Sequence, residues 1–369
     1  MHIEHGVRGG RTVVSQRNGA RIVTRGRGGY VQRAYVTRGG RSYYSRTYVY
    51  GGVVHVGVYQ GYYWGGRSYY GWYPGFFYAP AFYGWGFQPW GVPLVWGVSA
   101  WGWGGPWYGY YGGWWNPYPV YTAPYFWLTD YLIAANLQAA YAARAEEAGD
   151  AGSADTGVSD GGGGSADNSA SASTAVTLTP EVKQAIAEEV KAQLAAQQAQ
   201  AAGGTTAGPA PAQANGTPPA ALDPAKRTFV VDTAVTAVST DGQECGLTSG
   251  DVVTRLTDTP DGTDNTVNAS VAASKKGDCV TGTTVAVKVD DLQEMYNHFQ
   301  EQLTNGMAEM AKKQGTNGMP KAPDTSTKAS DVPPPKPDAD AAKTLQEQQA
   351  EADKTEADVR AEAAAGGGL

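Results

Sequence analysis

The chain has 369 residues, with 50 Gly and 21 Pro set against 7 Phe and 5 Met, and a formal net charge of −7. Such a composition argues against two or three evenly packed globular domains, and no run of about 18 aliphatic residues is present to form an ordinary membrane-spanning helix. The charge is divided: residues 1–129 hold eleven Arg, no Lys and one acid (Glu4), for +10, and the remainder carries −17. That asymmetry suggests different environments or partners for the two halves, or simply soluble low-complexity flanks.

Residues 1–60 read as an Arg/Gly/Tyr region of β-hairpins. Thr12-Val13-Val14 and Ile22-Val23-Thr24 flank Asn18-Gly19, a strong short hairpin signal because both turn residues accept positive φ. A second hairpin is expected to pair 47–50 with 53–58 across Gly51-Gly52. Hairpins with so little to bury against are marginal in water.

Residues 61–127 hold all eleven tryptophans, and between Arg67 and Asp130 run 62 consecutive uncharged residues. Pro74, Pro80, Pro89, Pro93, Pro106, Pro117, Pro119 and Pro124 forbid a continuous helix and most central strands. The expectation is an irregular aromatic and Gly/Pro-rich segment of turns and extended pieces, its rings stacking at about 0.5–1.5 kcal/mol per pair beyond burial. With no charge to solvate it, the segment reads as a sticky surface. Trp85, Trp90, Trp96, Trp101, Trp103, Trp107, Trp114 and Trp115 are its candidate interaction residues.

Residues 128–148 form an Ala-rich helix with Thr129 as N-cap and Asp130 in the first turn. A Gly/Ser/Asp linker follows over 149–177, with a composition expected to be disordered. The helix at 178–201 opens on Thr179-Pro180-Glu181 and carries Val182, Ile186, Val190 and Leu194 at every fourth position. Its narrow stripe suits either self-association as a coiled coil or docking on another part of the chain. A second linker covers 202–222.

Residues 223–310 look like a small α+β domain, with strands over 229–238, 252–256, 266–272 and 284–289. Asp290 and Gln293 suggest a capping box for a helix whose apolar face is Leu292, Met295, Tyr296, Phe299 and Leu303. Cys245 and Cys279 fit a single disulfide, which needs an oxidising compartment, with two free thiols as the alternative. Residues 311–369 read as a disordered acidic tail. The fold class is therefore mixed and largely low-complexity: N-terminal hairpins, an irregular aromatic segment, isolated helices and one small domain, joined by disordered linkers.

Two resemblances rest on particular residues. Gly246-Leu247-Thr248-Ser249-Gly250-Asp251-Val252-Val253 resembles the Gly-Leu-x-x-Gly-Asp-Val-Ile core of bacterial PDZ domains, with Gly246, Leu247, Gly250 and Asp251 at the matching positions. The resemblance implies a PDZ-like fold and peptide binding by strand addition, although the usual carboxylate-binding loop is not recognisable. The Tyr/Trp/Gly segment, followed by Trp127-Leu128-Thr129-Asp130-Tyr131-Leu132-Ile133 and by Leu178-Thr179-Pro180-Glu181-Val182-Lys183-Gln184-Ala185-Ile186, is similar to uncharacterised bacterial exported proteins. It implies export and no particular chemistry.

An enzyme is not expected. His2, His5, His55 and His298 are scattered and none lies in a GxSxG or HExxH context. The acids around Gly262 lack calcium-loop spacing, and no cofactor or metal is implied. Residues 1–10 carry no apolar signal core, so export assumes a signal peptide upstream of Met1. The expectation is a non-enzymatic exported envelope or surface protein, adhering through its aromatic segment to envelope polymer, glycan, a lipid surface or itself. Two alternatives stand beside it. One is an RGG-type single-stranded nucleic-acid binder using Arg8-Gly9-Gly10, Arg25-Gly26-Arg27-Gly28-Gly29 and Arg38-Gly39-Gly40. The other is a PDZ-like peptide adaptor.

Overall fold

The computed structural model describes residues 1–5, 11–25, 28–50, 53–97, 102–153, 177–202, 216–275 and 278–366. Among them, seven strands form one antiparallel meander in chain order: β1 (His2–His5), β2 (Arg11–Arg17), β3 (Ala20–Arg25), β4 (Gly28–Arg38), β5 (Arg41–Tyr50), β6 (Val53–Trp64) and β7 (Arg67–Tyr73). The β2–β3 turn is Asn18-Gly19, with φ of 50° and 72°. That is the primed geometry matching the twist of its strands. Gly51-Gly52 lies outside the described residues, but β5 and β6 pair in the expected register, Tyr50 opposite Val53.

These hairpins are not marginal, because both faces of the sheet are covered. Period-two alternation puts Ala20 and Ile22 of β3 and Val31 of β4 on one face, where they pack on Ala341 and Leu345 of helix α6 (Ala341–Gly366). Arg21, Val23 and Arg25 point the other way, toward α5 (Val289–Lys313), around which the sheet curls as a half-barrel. The outer edge of β7 is capped by Asn297 of α5, which accepts from Trp72 N at 2.9 Å and donates to Tyr70 O at 2.8 Å. An edge so paired offers no template to another chain.

The expected disordered tail is thus corrected over most of its described length. Its strand Thr327–Ala329 pairs with Phe76–Tyr78, and α6 lies along the sheet. The tail has few apolar residues, yet Ala341, Leu345, Gln348 and Ala352 share one helical face and all are buried.

The aromatic segment is not a surface. Where turns and extended pieces were expected, three of its prolines start helices, since Pro at the first helical position loses no hydrogen bond. They open α1 (Pro80–Phe87), α2 (Pro106–Tyr111) and the long α3 (Pro124–Ser153). The strands Leu94–Val95 and Val120–Tyr121 pair as a short ribbon. Against these elements lies α4 (Pro180–Ala202), with Ile186, Val190 and Leu194 buried in the aromatic core. A Cβ on Gly86 would stand 3.0 Å from the Leu194 side chain, so small residues on α1 admit α4. The stripe read as a self-association seam is therefore occupied within the chain, and α4 is a docked helix.

In the C-terminal region, six strands form an antiparallel sheet over Thr228–Val230, Val235–Ser239, Glu244–Leu247, Val252–Arg255, Thr266–Ala273 and Thr284–Lys288. The strand expected over 229–238 is split in two. In the second linker, 203–215 lie outside the described residues, whereas Ala220, Ala221 and Leu222 form a 3-10 turn buried in this core. The capping box is not formed. Asp290 sits in the first turn of α5 and accepts from Asn265 Nδ2 at 3.1 Å, while Gln293 bonds Asn297. Cys245 and Cys279 form a disulfide, Sγ–Sγ 2.06 Å. No helix among the described residues is long and apolar enough to cross a membrane.

Candidate functional site

Three buried charged groups and one exposed apolar ribbon are the features that go beyond packing. The first lies in the aromatic core. Because α3 begins at Pro124, Thr129 is inside the helix rather than at its cap, and its hydroxyl donates to Tyr125 O at 2.8 Å. Asp130, one residue on, is fully buried. Its carboxylate accepts from Trp115 Nε1 at 3.3 Å, Tyr118 N at 2.6 Å, Tyr121 Oη at 3.0 Å and Lys183 Nζ at 2.6 Å. Lys183, on α4, also donates to Asn116 O at 2.8 Å and lies 3.7 Å from the Tyr118 ring centroid. Burial raises the Asp130 carboxyl above its usual range, only partly offset by Lys183, and burial lowers the Lys183 amine. With its oxygens so fully engaged, Asp130 is built as a lock between α3, α4 and the tryptophans. The segments 127–133 and 178–186 meet at this pair.

The second group sits inside the half-barrel. Arg46 of β5 is fully buried, donates to Gln32 Oε1 at 2.6 Å, and grips Glu294 of α5 with two bonds of 2.6 and 3.1 Å. Its guanidinium is stacked among Tyr59, Tyr30 and Tyr70 at 3.9, 4.5 and 5.2 Å from their centroids. Gly57 faces it on β6, and a Cβ there would stand 3.0 Å from the Tyr59 ring. Burial pushes the Glu294 carboxyl up, but the Arg46 guanidinium outweighs it and holds the group below the usual carboxylate range. Nearby, Arg25 meets Asp291 at 3.1 Å. A cavity of about 40 Å³ is lined by Arg21, Arg25, Tyr30, Ser68, Asp290 and Glu294. It has room for water rather than for a substrate.

The third is the Gly250-Asp251 turn. Gly250 adopts a φ of 90° and Leu247 is fully buried. Asp251, also fully buried, accepts from Thr248 N at 2.7 Å, Lys275 N at 2.8 Å and Lys275 Nζ at 2.7 Å. Gly246 pairs with Thr236 across the Val235–Ser239 strand, whose other side is occupied by Thr284–Lys288. These residues organise a turn, and the lysine lies 5.4 Å from the Trp114 ring.

Of the candidate interaction residues, Trp85, Trp90, Trp103, Trp107, Trp114 and Trp115 are buried, Trp96 is partly buried, and Trp101 lies outside the described residues. Their rings stack on one another, as in Trp103–Trp127 at 5.9 Å and Trp107–Trp115 at 6.1 Å. What the segment exposes is aliphatic in one place and aromatic in others, Tyr63 and Tyr110 being each 51% accessible. Val92 and Val95 are each 73% accessible, and Val120, opposite Val95 in the ribbon, is 41% accessible. The sequence pointed to large rings, and their own mutual attraction took them inside. No pattern marked the valines, but Asp130 carried a signal as the first charge after the long neutral run.

Among the described residues no group of three or more His, Cys, Asp or Glu is arranged to hold a metal ion. No family model, curated protein or solved structure matches the chain.

Proposed function

We propose that this chain is a non-enzymatic exported protein of the cell envelope that acts by surface interaction, and that the contact is made by the Val92/Val95/Val120 ribbon. The supporting observation is the exposure of Val95 and Val120, paired in one short ribbon, and of Val92 in the bend just before it, in a stretch with no charged residue from 68 to 129. Aliphatic side chains suit the acyl region of a lipid surface better than a sugar face, which favours flat rings. Trp96 and Tyr118, both partly buried beside the ribbon, are the residue types that settle at the headgroup level. The disulfide agrees with an oxidising compartment.

The nucleic-acid alternative draws less support. Arg11, Arg17, Arg25, Arg33 and Arg46 each have a carboxylate partner within the chain. Parts of its RGG-like motifs, residues 8–10 and 26–27, lie outside the described residues. For the lipid reading, the full chain is floated with zwitterionic phosphatidylcholine vesicles and compared with Val92→Asp/Val95→Asp. Co-flotation is expected for the first and its loss for the second, with circular dichroism unchanged. Equal flotation of both, or none by either, sinks the reading.

A further inference from the structure

The C-terminal helix is held differently from every other buried element. Its apolar contact is small, Leu345 and Ala341 set against Ala20, Ile22 and Val31 of the sheet, with Ala352 also buried. The rest of the contact is polar. Gln348, fully buried, donates to Val13 O at 2.8 Å and Thr24 Oγ1 at 3.3 Å, and accepts from the Ser15 hydroxyl. Along the rim, Arg11 meets Asp353 and Glu356, Arg17 meets Glu347 and Glu351, and Arg33 meets Asp338. These pairs are largely solvent-facing, so each contributes little and salt screens it.

The segment before the helix is anchored in the opposite manner. Val332 is fully buried with Tyr43, Val58 and Tyr73. Between that anchor and the turn at 339–340 lie Pro333, Pro334, Pro335 and Pro337, an extended stretch of about 3.1 Å per residue that is fastened again where Asp338 N donates to Thr47 Oγ1 at 2.8 Å. The helix is therefore a strap with few apolar contacts of its own, at the end of a proline-rich tether. The groove it fills is shaped for one kind of partner, an amphipathic helix with a small apolar stripe and acidic flanks.

We propose that this groove accepts the α6 helix of a second copy of the chain, so that two copies associate by exchanging their tails. The occupant is specified by complementarity: Arg11 and Arg17 of β2 opposite Glu347, Glu351, Asp353 and Glu356, and Ser15 opposite Gln348. Swapping costs the fold no contact, because each groove regains the same helix, and proline-tethered terminal elements exchange readily. The free-energy balance is then set by chain concentration, and salt speeds the exchange by loosening the rim.

Two full-length variants test it, Ser15→Cys and Gln348→Cys, neither of which can close this link within itself. They are mixed at high protein concentration in about 1 M salt, where the Debye length is about 3 Å, then returned to low salt and oxidised. The expected product is a disulfide-linked heterodimer near twice the 38.8 kDa of one chain on a non-reducing gel, less abundant without the salt step. The chain carrying both substitutions is the control and should close internally as a monomer. Closure of the control without any heterodimer in the mixture overturns tail exchange. Failure of the control to close overturns the placement of α6 on which it rests.

Discussion

Lys183→Met is the most incisive single perturbation of the aromatic core. Methionine fills a similar volume but removes the cation from Asp130, which then keeps Trp115 Nε1, Tyr118 N and Tyr121 Oη as donors. Lys183 is 7% and Asp130 0% exposed, so neither charge is relieved by solvent when the other is removed. Breaking a buried pair by deleting one partner costs about 3–5 kcal/mol. The three remaining hydrogen bonds place this site toward the lower end, about 3 kcal/mol. All eleven tryptophans lie between residues 64 and 127, so intrinsic Trp fluorescence during urea unfolding reports on this core directly. The double variant Lys183→Met/Asp130→Asn should lose less than the sum of the two single variants, because the neutral amide needs no cation. A loss under 1 kcal/mol for Lys183→Met, or strict additivity in the cycle, would show that the lock is not a coupled pair.

Two further outcomes concern the C-terminal half. Reduction, or Cys245→Ser/Cys279→Ser, should cost about 3–4 kcal/mol for a loop of this size in the chain-entropy model. A urea midpoint indifferent to dithiothreitol would refute that. The second is pH dependence. Glu294 is held below its usual range by Arg46, and Asp338 by Arg33, despite burial pushing both up. A depressed carboxylate contributes stability that is fully present above its unfolded value, about 4, and that is lost as pH falls through the folded value. Denaturant stability should therefore drop below about pH 4, and Glu294→Gln should flatten that drop while lowering stability at pH 7. An unchanged slope in Glu294→Gln would remove the Arg46–Glu294 contact from the account.

Local features were legible in the sequence wherever a backbone rule decided them. Asn18-Gly19 makes its turn, the stripe from Val182 to Leu194 makes a helix, and the cysteines pair, because each depends on residues close in sequence or on covalent chemistry. The aromatic segment was misjudged at the level of packing. Absence of charge is equally the mark of a sticky exterior and of an interior, and only the partner decides between them. Here α3 and α4 supply the partner, and Pro80, Pro106 and Pro124, counted against helix, are its helix starts. The tail was misjudged for the same reason. Ala341, Leu345 and Ala352 are too few to make a core, but they suffice when a preformed sheet face awaits them.

The charge split shows most clearly why such readings fail. A front half of +10 and a back half of −17 look like two molecules bound for different partners. In the fold, much of that charge is paired within the chain: Arg25 to Asp291 and Arg46 to Glu294 inside the half-barrel, and Arg33 to Asp338 and Arg11 and Arg17 to the tail helix along its rim. The separations run from 248 to 345 residues where a hydrogen bond accompanies the pair, as in Arg46–Glu294 and Arg11–Glu356. No window of periodicity spans such distances. The arginines serve both faces of the sheet: Arg21, Arg25 and Arg46 lie toward α5 among Val23, Tyr30 and Tyr59, while Arg11, Arg17 and Arg33 rim the face that α6 covers. Arginines placed every few residues among tyrosines and glycines here join the sheet to α5 and to the tail helix.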